Sequence, residues 1–469
     1  MRSFLSAAFA WFELGMIGYF IAVNSLYLWF SGFAYVALVR HRRKWTARDL
    51  GAIMRSRATP GVSILVPAWN EEAGIVATVR SLLMLNYPQF EIIVVSDGST
   101  DGTLPRLQEA FGLLQAPGSY EPRLATAPVK AIYRSLTVRE VVAIDKANGG
   151  KSDAINAGIN AARFPLICII DADSVVEEHA LSRAVLPFIE DPATVAAGGI
   201  VRIGNGCAVE QGRVTDVRAP ANWLARFQVI EYLRAFLAAR VTQSAFNALL
   251  IVSGAFGVFR RDTVIEAGGL STSTVGEDME LVVRLHRFCL RKGEPYRIVF
   301  QPDPVVWTEA PESIAALSGQ RNRWQRGTLE VLESHAAMLA NPRYGRIGLV
   351  ALPYYAVFEA FGPIREVAGL AVTLIGLGAG LLDWRLAQLL FLAAILYGTM
   401  ISVAAVLLEE LSFRRYMRLR DVLTLLCAAA LENFGYRQMT AWWRLRGVID
   451  YCRGRKAWVA VPRKGLTTA

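Results

Sequence analysis

The sequence predicts an α/β domain, a mostly parallel sheet with helices on both faces, joined to transmembrane helices. Three observations carry this. Hydrophobic residues make up 54% and charged residues 19% of the 469-residue chain, against about 45–50% and about 25% in globular proteins. A bilayer span needs about 20 apolar residues, and runs near that length occur toward both ends of the chain but not from Pro60 to about Pro342. In that middle stretch, short apolar runs alternate with helical spacing, the pattern of a parallel sheet with crossover helices.

Composition excludes several classes. A disordered chain would need far fewer apolar residues. Five cysteines, odd in number and without a CxxC pair, exclude a disulfide scaffold and argue against a thiolate zinc site. The net charge of +10 could suit nucleic acid or a membrane surface. Its location decides: residues 40–60 carry a net +6 and residues 435–469 a net +7, leaving −3 for the rest. The basic excess therefore flanks the apolar runs, where it orients helices and meets anionic membrane lipid. No known nucleic-acid module is present, so no nucleic-acid partner is expected.

In chain order, residues 1–14 form an N-terminal segment and residues 15–39 a transmembrane helix, 25 residues without a charge. A signal peptide would place its basic residues before the apolar run. Here Arg40-His41-Arg42-Arg43-Lys44 follows it, which predicts a retained span and a basic cytoplasmic linker over 40–60. Residues 61–335 read as one soluble domain. Residues 336–365, interrupted by Pro353, Glu359 and Pro363, read as kinked or interfacial membrane helices. Spans are expected over 366–382 and 386–408, joined by a tight turn, and a basic cytoplasmic or interfacial segment over 409–469. This layout predicts a multi-pass protein of the plasma (inner) membrane with its catalytic domain in the cytoplasm.

Within the soluble domain, Val62–Pro67, Phe90–Val95, Val141–Ile144 and Leu166–Ile170 read as strands. Ligands sit beyond the carboxyl ends of parallel strands, and acidic residues cluster there. Asp171-Ala172-Asp173 follows a buried strand; residues two apart share a side, and two carboxylates suit a hard divalent cation. Asp97 ends an earlier strand, in Ser96-Asp97-Gly98. Lys146-Ala-Asn-Gly-Gly-Lys151-Ser152 opens a helix, with glycine amides and Lys151 suited to an anion; the spacing is not that of a P-loop. Glu277 and Asp278 start another helix. There a helix dipole would weaken Asp278 as a base unless desolvation compensates. Gln320, Arg323 and Trp324 stand at i, i+3 and i+4, one helix face that could hold a sugar phosphate. Taken singly, each motif also fits a turn, a cap or an amphipathic helix. Together they fall in order within one domain.

As a set, these elements resemble the processive membrane glycosyltransferases of family 2, which include hyaluronan, cellulose and poly-N-acetylglucosamine synthases. The resemblance runs from about Val62 to Gly327. Its elements are Val66-Pro-Ala-Trp-Asn-Glu-Glu72, Asp97-Gly-Ser-Thr-Asp-Gly-Thr103, Asn148-Gly-Gly-Lys151, Asp171-Ala-Asp173, Ser253-Gly-Ala-Phe-Gly257, Gly276-Glu-Asp278 and Gln320-Arg-Asn-Arg-Trp324. It implies a Rossmann-like, nucleotide-sugar-binding GT-A domain. It implies that Asp97, Asp171, Lys151 and Arg323 hold a UDP-sugar donor, with Asp97 near the uracil. It implies that Asp173 binds Mg²⁺ or Mn²⁺, and that Asp278, beside Glu277, is the base. Gln320, Trp324, Ser253 and Gly254 then face the growing polysaccharide acceptor. Two departures stand out: Ser96 where many relatives have Asp, and Gly276 where many have Thr. The implied reaction inverts the donor and forms β-linkages, coupled to export, with an export or regulatory subunit or a homo-oligomer as a further partner. The rival readings are a non-processive transferase acting on a lipid-linked acceptor and a catalytically silent export channel or scaffold.

Overall fold

A computed structural model describes residues 2–46, 50–54, 56, 58–116, 120–210 and 212–455. Parts of the expected linker (47–49, 55 and 57) and the end of the basic tail (456–469) lie outside the described residues.

One helix, Arg2–Thr46, replaces the separate N-terminal segment, span and linker start expected from charge alone. Uncharged residues mark the hydrocarbon-crossing part of a helix, not its ends. Arg and Lys are good helix formers and nothing in 40–46 breaks the helix. Among the described residues three stretches are long and apolar enough to cross a membrane: Phe4–Arg43, Ile347–Gly378 and Trp384–Ser412. The second includes the segment expected to be kinked or interfacial. π-helical turns at Ile347–Ala351 and Tyr355–Ala360 flank one α-turn holding Pro353, and the helix Gly362–Gly378 follows. A proline without an amide donor accounts for the irregularity. The tight turn after Gly378 ends at Asp383, whose Oδ1 caps the next helix through the Arg385 amide at 2.8 Å.

The described residues of the α/β domain hold twelve strands: β1 Val62–Ala68, β2 Phe90–Asp97, β3 Leu113–Gln115, β4 Val129–Ser135, β5 Val141–Lys146, β6 Leu166–Ile170, β7 Val175–Val176, β8 Thr194–Ile203, β9 Ala208–Glu210, β10 Arg213–Asp216, β11 Phe256–Arg260 and β12 Arg297–Thr308. Ten form one sheet in the order β3-β4-β5-β2-β1-β6-β11-β8-β12-β7; β9 and β10 pair separately. The centre, β5-β2-β1-β6, is parallel, and so is β8–β12. β11 runs antiparallel between β6 and β8. Apolar cores cover both faces, as expected for strands that are nearly uninterrupted Val, Ile and Leu.

The topology sets the site. β1, β2, β5 and β6 end at one sheet edge. β11 is antiparallel, with Phe256 opposite Ile170, so it brings the loop before it, Ser253–Ala255, to that same edge.

Candidate active site

The loops at this edge are fastened before any ligand is considered. The Glu72 amide donates to Asp101 Oδ2 at 3.1 Å, and the Gly102 amide donates to Glu72 Oε2 at 3.0 Å. Asn70, with φ +55°, accepts from the Thr100 amide at 2.8 Å. The ends of β1 and β2 are thus tied reciprocally, and Trp69 is left 53% exposed beside them.

Asp97 is buried at the end of β2. Its Oδ1 accepts from Lys146 Nζ at 2.5 Å and the Gly149 amide at 3.0 Å, and its Oδ2 from the Gly150 amide at 2.7 Å. Lys146 is fully buried and also meets Asp153 at 2.6 Å. Asp97 therefore holds the glycine loop in shape and so sets where Lys151 begins its helix.

Lys151 bridges two elements. Its Nζ lies 2.7 Å from Asp171 Oδ1 and 3.3 Å from Glu277 Oε1. Burial pushes its pKa down, but Asp171 and Glu277 outweigh burial and hold the ammonium above its ordinary value. These carboxylates also offset the cost of a cation at a helix N-terminus. Asp171 and Asp173 flank the buried Ala172 and are themselves only half-buried.

Asp278 is gripped by two amides: Gly254 to Oδ2 at 3.1 Å and Met279 to Oδ1 at 2.8 Å. Burial first, and Glu277 second, raise its pKa above the usual carboxylate range, against the pull of Lys151. Desolvation thus outweighs the helix-start effect that would have weakened this acid as a base. Gly254 sits close to both groups: a Cβ there would stand in ordinary contact, 3.4 Å from Lys151 Nζ and 3.5 Å from Asp278 Oδ2.

The helix Ile314–Ser334 presents Gln320, Arg323 and Trp324. Arg321, absent from the expected set, organises them. Fully buried, it donates to Gln320 Oε1 at 2.9 Å, and its guanidinium stacks 4.3 Å from the Trp324 ring centre. Glu231 holds Arg321 at 2.6 Å and also accepts from Tyr436 at 3.0 Å. Arg323 is half-buried and lies within electrostatic reach of Tyr232. Trp324 remains 42% exposed.

The fold thus brings Lys151, Asp171, Glu277, Asp278 and Gly254 into direct contact, with Ser253 beside Gly254. Lys146, Glu231 and Arg321 went unread as site residues. Lys146 sits at the start of the Lys146–Ser152 stretch, where only its burial marks it out, and Arg321 is not among the i, i+3, i+4 residues Gln320, Arg323 and Trp324. Among the described residues no group of three or more His, Cys, Asp or Glu could hold a metal ion. The donor set still fits Mg²⁺ or Mn²⁺, which bind through one or two carboxylates and take the rest of their shell from phosphate and water.

Comparisons with known proteins place the same stretch of chain in a family. The profile described as "Glycosyltransferase like family 2" matches residues 122–327, and that described as "Glycosyl transferase family 2" matches residues 63–119. The chain is 28% identical over 305 residues to the poly-β-1,6-N-acetyl-D-glucosamine synthase of Staphylococcus epidermidis, covering 65% of this chain and 63% of the relative. It is 28% identical over 273 residues to the synthase of the same name from Staphylococcus aureus, covering 58% of this chain and 55% of the relative. The chain therefore spans under two thirds of the relatives it matches. Among solved structures it resembles a mannosyltransferase from Pyrobaculum calidifontis, determined with GDP-mannose and Mn²⁺. The TM-score is 0.54 at 18% identity, covering 90% of this chain and 99% of that one, a likeness of fold. The two profiles together span most of the soluble domain, the ordered motifs fall within them, and the chain belongs to the family 2 glycosyltransferases.

Proposed function

We propose that the protein is an inverting, processive polysaccharide synthase, using a nucleoside-diphosphate sugar, a UDP-sugar first, to extend a glycan. The observation that carries this reading is the junction at Lys151. One ammonium ties the Asp171 carboxylate to Glu277, next to Asp278, whose basicity burial has raised.

In this reading Asp278 takes the proton from the acceptor hydroxyl as its oxygen bonds to the donor's anomeric carbon. The bond from that carbon to the diphosphate breaks, and UDP leaves on the opposite face. One displacement inverts configuration, so an α-linked donor yields a β-linked product. Lys151 and Arg323 hold the departing negative charge. Asp171 and Asp173 would hold a divalent cation, which would supply further charge neutralisation at the diphosphate. Asp97 acts on the nucleotide through the loop it shapes. Gln320 and Trp324, held by Arg321, and the Ser253-Gly254 loop seat the acceptor. In this reading the reaction takes place at the membrane, with the site on the cytoplasmic side and the product passing across; the apolar stretches support the membrane part. An accessory export subunit or self-association fits such a small set of helices.

The test is a panel of UDP- and GDP-sugars with Mg²⁺ or Mn²⁺ on purified, detergent-solubilised protein. N-acetylglucosamine stands first because the relatives' names specify its polymer. A ladder of β-linked products is expected. Single addition to a lipid carrier would show a non-processive enzyme instead. Absence of both transfer and donor hydrolysis across the panel would reject the reading.

A further inference from the structure

From Trp324 toward the membrane helices runs a line of side chains that, beyond Trp324 itself, no motif marked. Trp324 lies 6.4 Å from Tyr232, and Tyr232 lies 5.7 Å from Phe236, centre to centre. The Arg240 guanidinium sits 3.9 Å above the Phe236 ring. Tyr232, Phe236 and Arg240 follow one another at intervals of four. The helix Trp223–Leu233 continues into a π-helical segment, Arg234–Arg240, a rare geometry that concentrates at functional sites.

Arg240 ends this line in an unusual state. Its Nη1 is sealed from solvent and has no hydrogen-bond partner among the described residues. Other arginines of this region are anchored: Arg321 on Glu231, and Arg234 on Glu432 and Ser402. Buried donors are nearly always satisfied, and the exceptions call for an explanation such as a ligand. Arg240 also lies within electrostatic reach of Asp278, whose pKa it pulls down against the effect of burial. The unfilled donor therefore stands within electrostatic reach of Asp278, at the end of a line of tilted rings that leads to Trp324.

We propose that Arg240 closes an acceptor subsite. Trp324 and Tyr232 supply flat apolar faces, Phe236 backs the guanidinium, and Nη1 donates to an oxygen of the terminal acceptor sugar beside the Asp278 carboxylate. This deepens the proposed function and rests on it. Arg240 is then a residue that selects and orients the acceptor and does not engage the donor.

The experiment compares wild type with Arg240→Gln and Arg240→Lys in detergent. It uses UDP-N-acetylglucosamine as donor and short β-1,6-linked N-acetylglucosamine oligomers as acceptor. Losing a charge-assisted hydrogen bond should raise the acceptor KM by about tenfold or more in Arg240→Gln. UDP affinity, measured separately by calorimetry, should hold at the wild-type value. Arg240→Lys, which keeps the charge without the planar fork, should fall between. If Arg240→Gln fails to fold, Arg240→Lys decides by the same KM shift at an unchanged melting temperature. An acceptor KM equal to wild type, or UDP affinity lost in step with it, overturns the assignment. A wild type silent with every nucleotide sugar would instead sink the functional reading; an active wild type with an unaffected variant sinks this inference alone.

Discussion

Asp278 shows how the site trades stability for basicity. Its carboxyl is raised by burial and by Glu277, so the folded protein holds that proton more tightly than the unfolded chain does. The sign follows: folding is favoured below the unfolded pKa, and that contribution is lost as pH rises through the raised folded value. Wherever Asp278 is ionised it is therefore a burden on the fold. Asp278→Asn should keep or raise the melting temperature at pH 7 while removing most turnover, since a general base contributes about 10²–10⁴-fold. Lys151 keeps Asp171 and Glu277 as partners in that variant. The acid limb of the wild-type turnover profile should lie above the ordinary carboxylate range and vanish with the residual activity of the variant. A melting temperature well below wild type, or near-normal turnover, would refute the role. Part of this was legible from residue order, because Glu277-Asp278 opens a helix. The direction of the shift was not, because it depends on burial, which a sequence does not display.

Among elements, the decisive contact is a seam between two helices. Gly276 precedes Glu277–Lys292, and Gly327 lies within Ile314–Ser334; their backbones touch. A Cβ at 276 would fall 3.0 Å from Gly327 Cα, and one at 327 would fall 2.9 Å from Gly276 Cα. Glu330 fastens the same seam, accepting from the Thr274 hydroxyl and the Val275 amide, each at 2.8 Å. The departure from Thr at 276 thus has a structural cause: the helices that carry Asp278 and Trp324 close on each other through paired glycines. Gly276→Thr should force them apart, costing about 1–3 kcal/mol of stability, as overpacked positions do. It should also raise the acceptor KM more than it weakens UDP binding. A variant with wild-type melting and wild-type KM would show that the seam is not tight. Sequence reading reached Gly276 as an oddity but could not reach Gly327, because helix–helix contacts are not periodic in sequence. It found β1, β2, β5 and β6 for the opposite reason: each is an apolar run ended by polar turn residues. Ser253–Gly257 enters the sequence reading only through the family resemblance, and β11, Phe256–Arg260, is not among the expected strands because it is short and ends in arginine. That antiparallel strand is what carries Gly254 to Asp278.

At the scale of the molecule, the membrane helices and the catalytic domain share one end. His41, at the basic end of the first helix, contacts Asp303 on β12. Arg202 on β8 pairs with Glu409 at 2.8 Å, both buried, near the end of Trp384–Ser412, and Arg415 forks onto Glu177 at 2.8 and 3.1 Å. Gln325 of the acceptor helix donates to the Ala360 carbonyl at 2.8 Å, where the second apolar stretch runs on. The opposite ends also meet: Ser6 Oγ donates to the Leu381 carbonyl at 2.8 Å, and a Cβ on Gly376 would fall 2.7 Å from the Phe9 ring. The first stretch therefore arrives at the catalytic domain, the second leaves it, and the third returns. In the proposed arrangement the turn beside Leu381 would lie across the membrane from the active site. Positive flanks orient toward the cytoplasm, and here they stand on the domain side. This predicts a labelling pattern in intact cells. Arg385→Cys, at an exposed position beside the turn, should react with a membrane-impermeant maleimide added outside. Cys452, exposed at the end of the helix packed along Ile314–Ser334, should react only after permeabilisation. The measurement is best made with Cys427→Ser, which removes the other exposed thiol. Cys452 labelled in intact cells while position 385 stays protected would place the catalytic domain outside, away from cytoplasmic nucleotide sugars, and would overturn both the orientation and the proposed synthase.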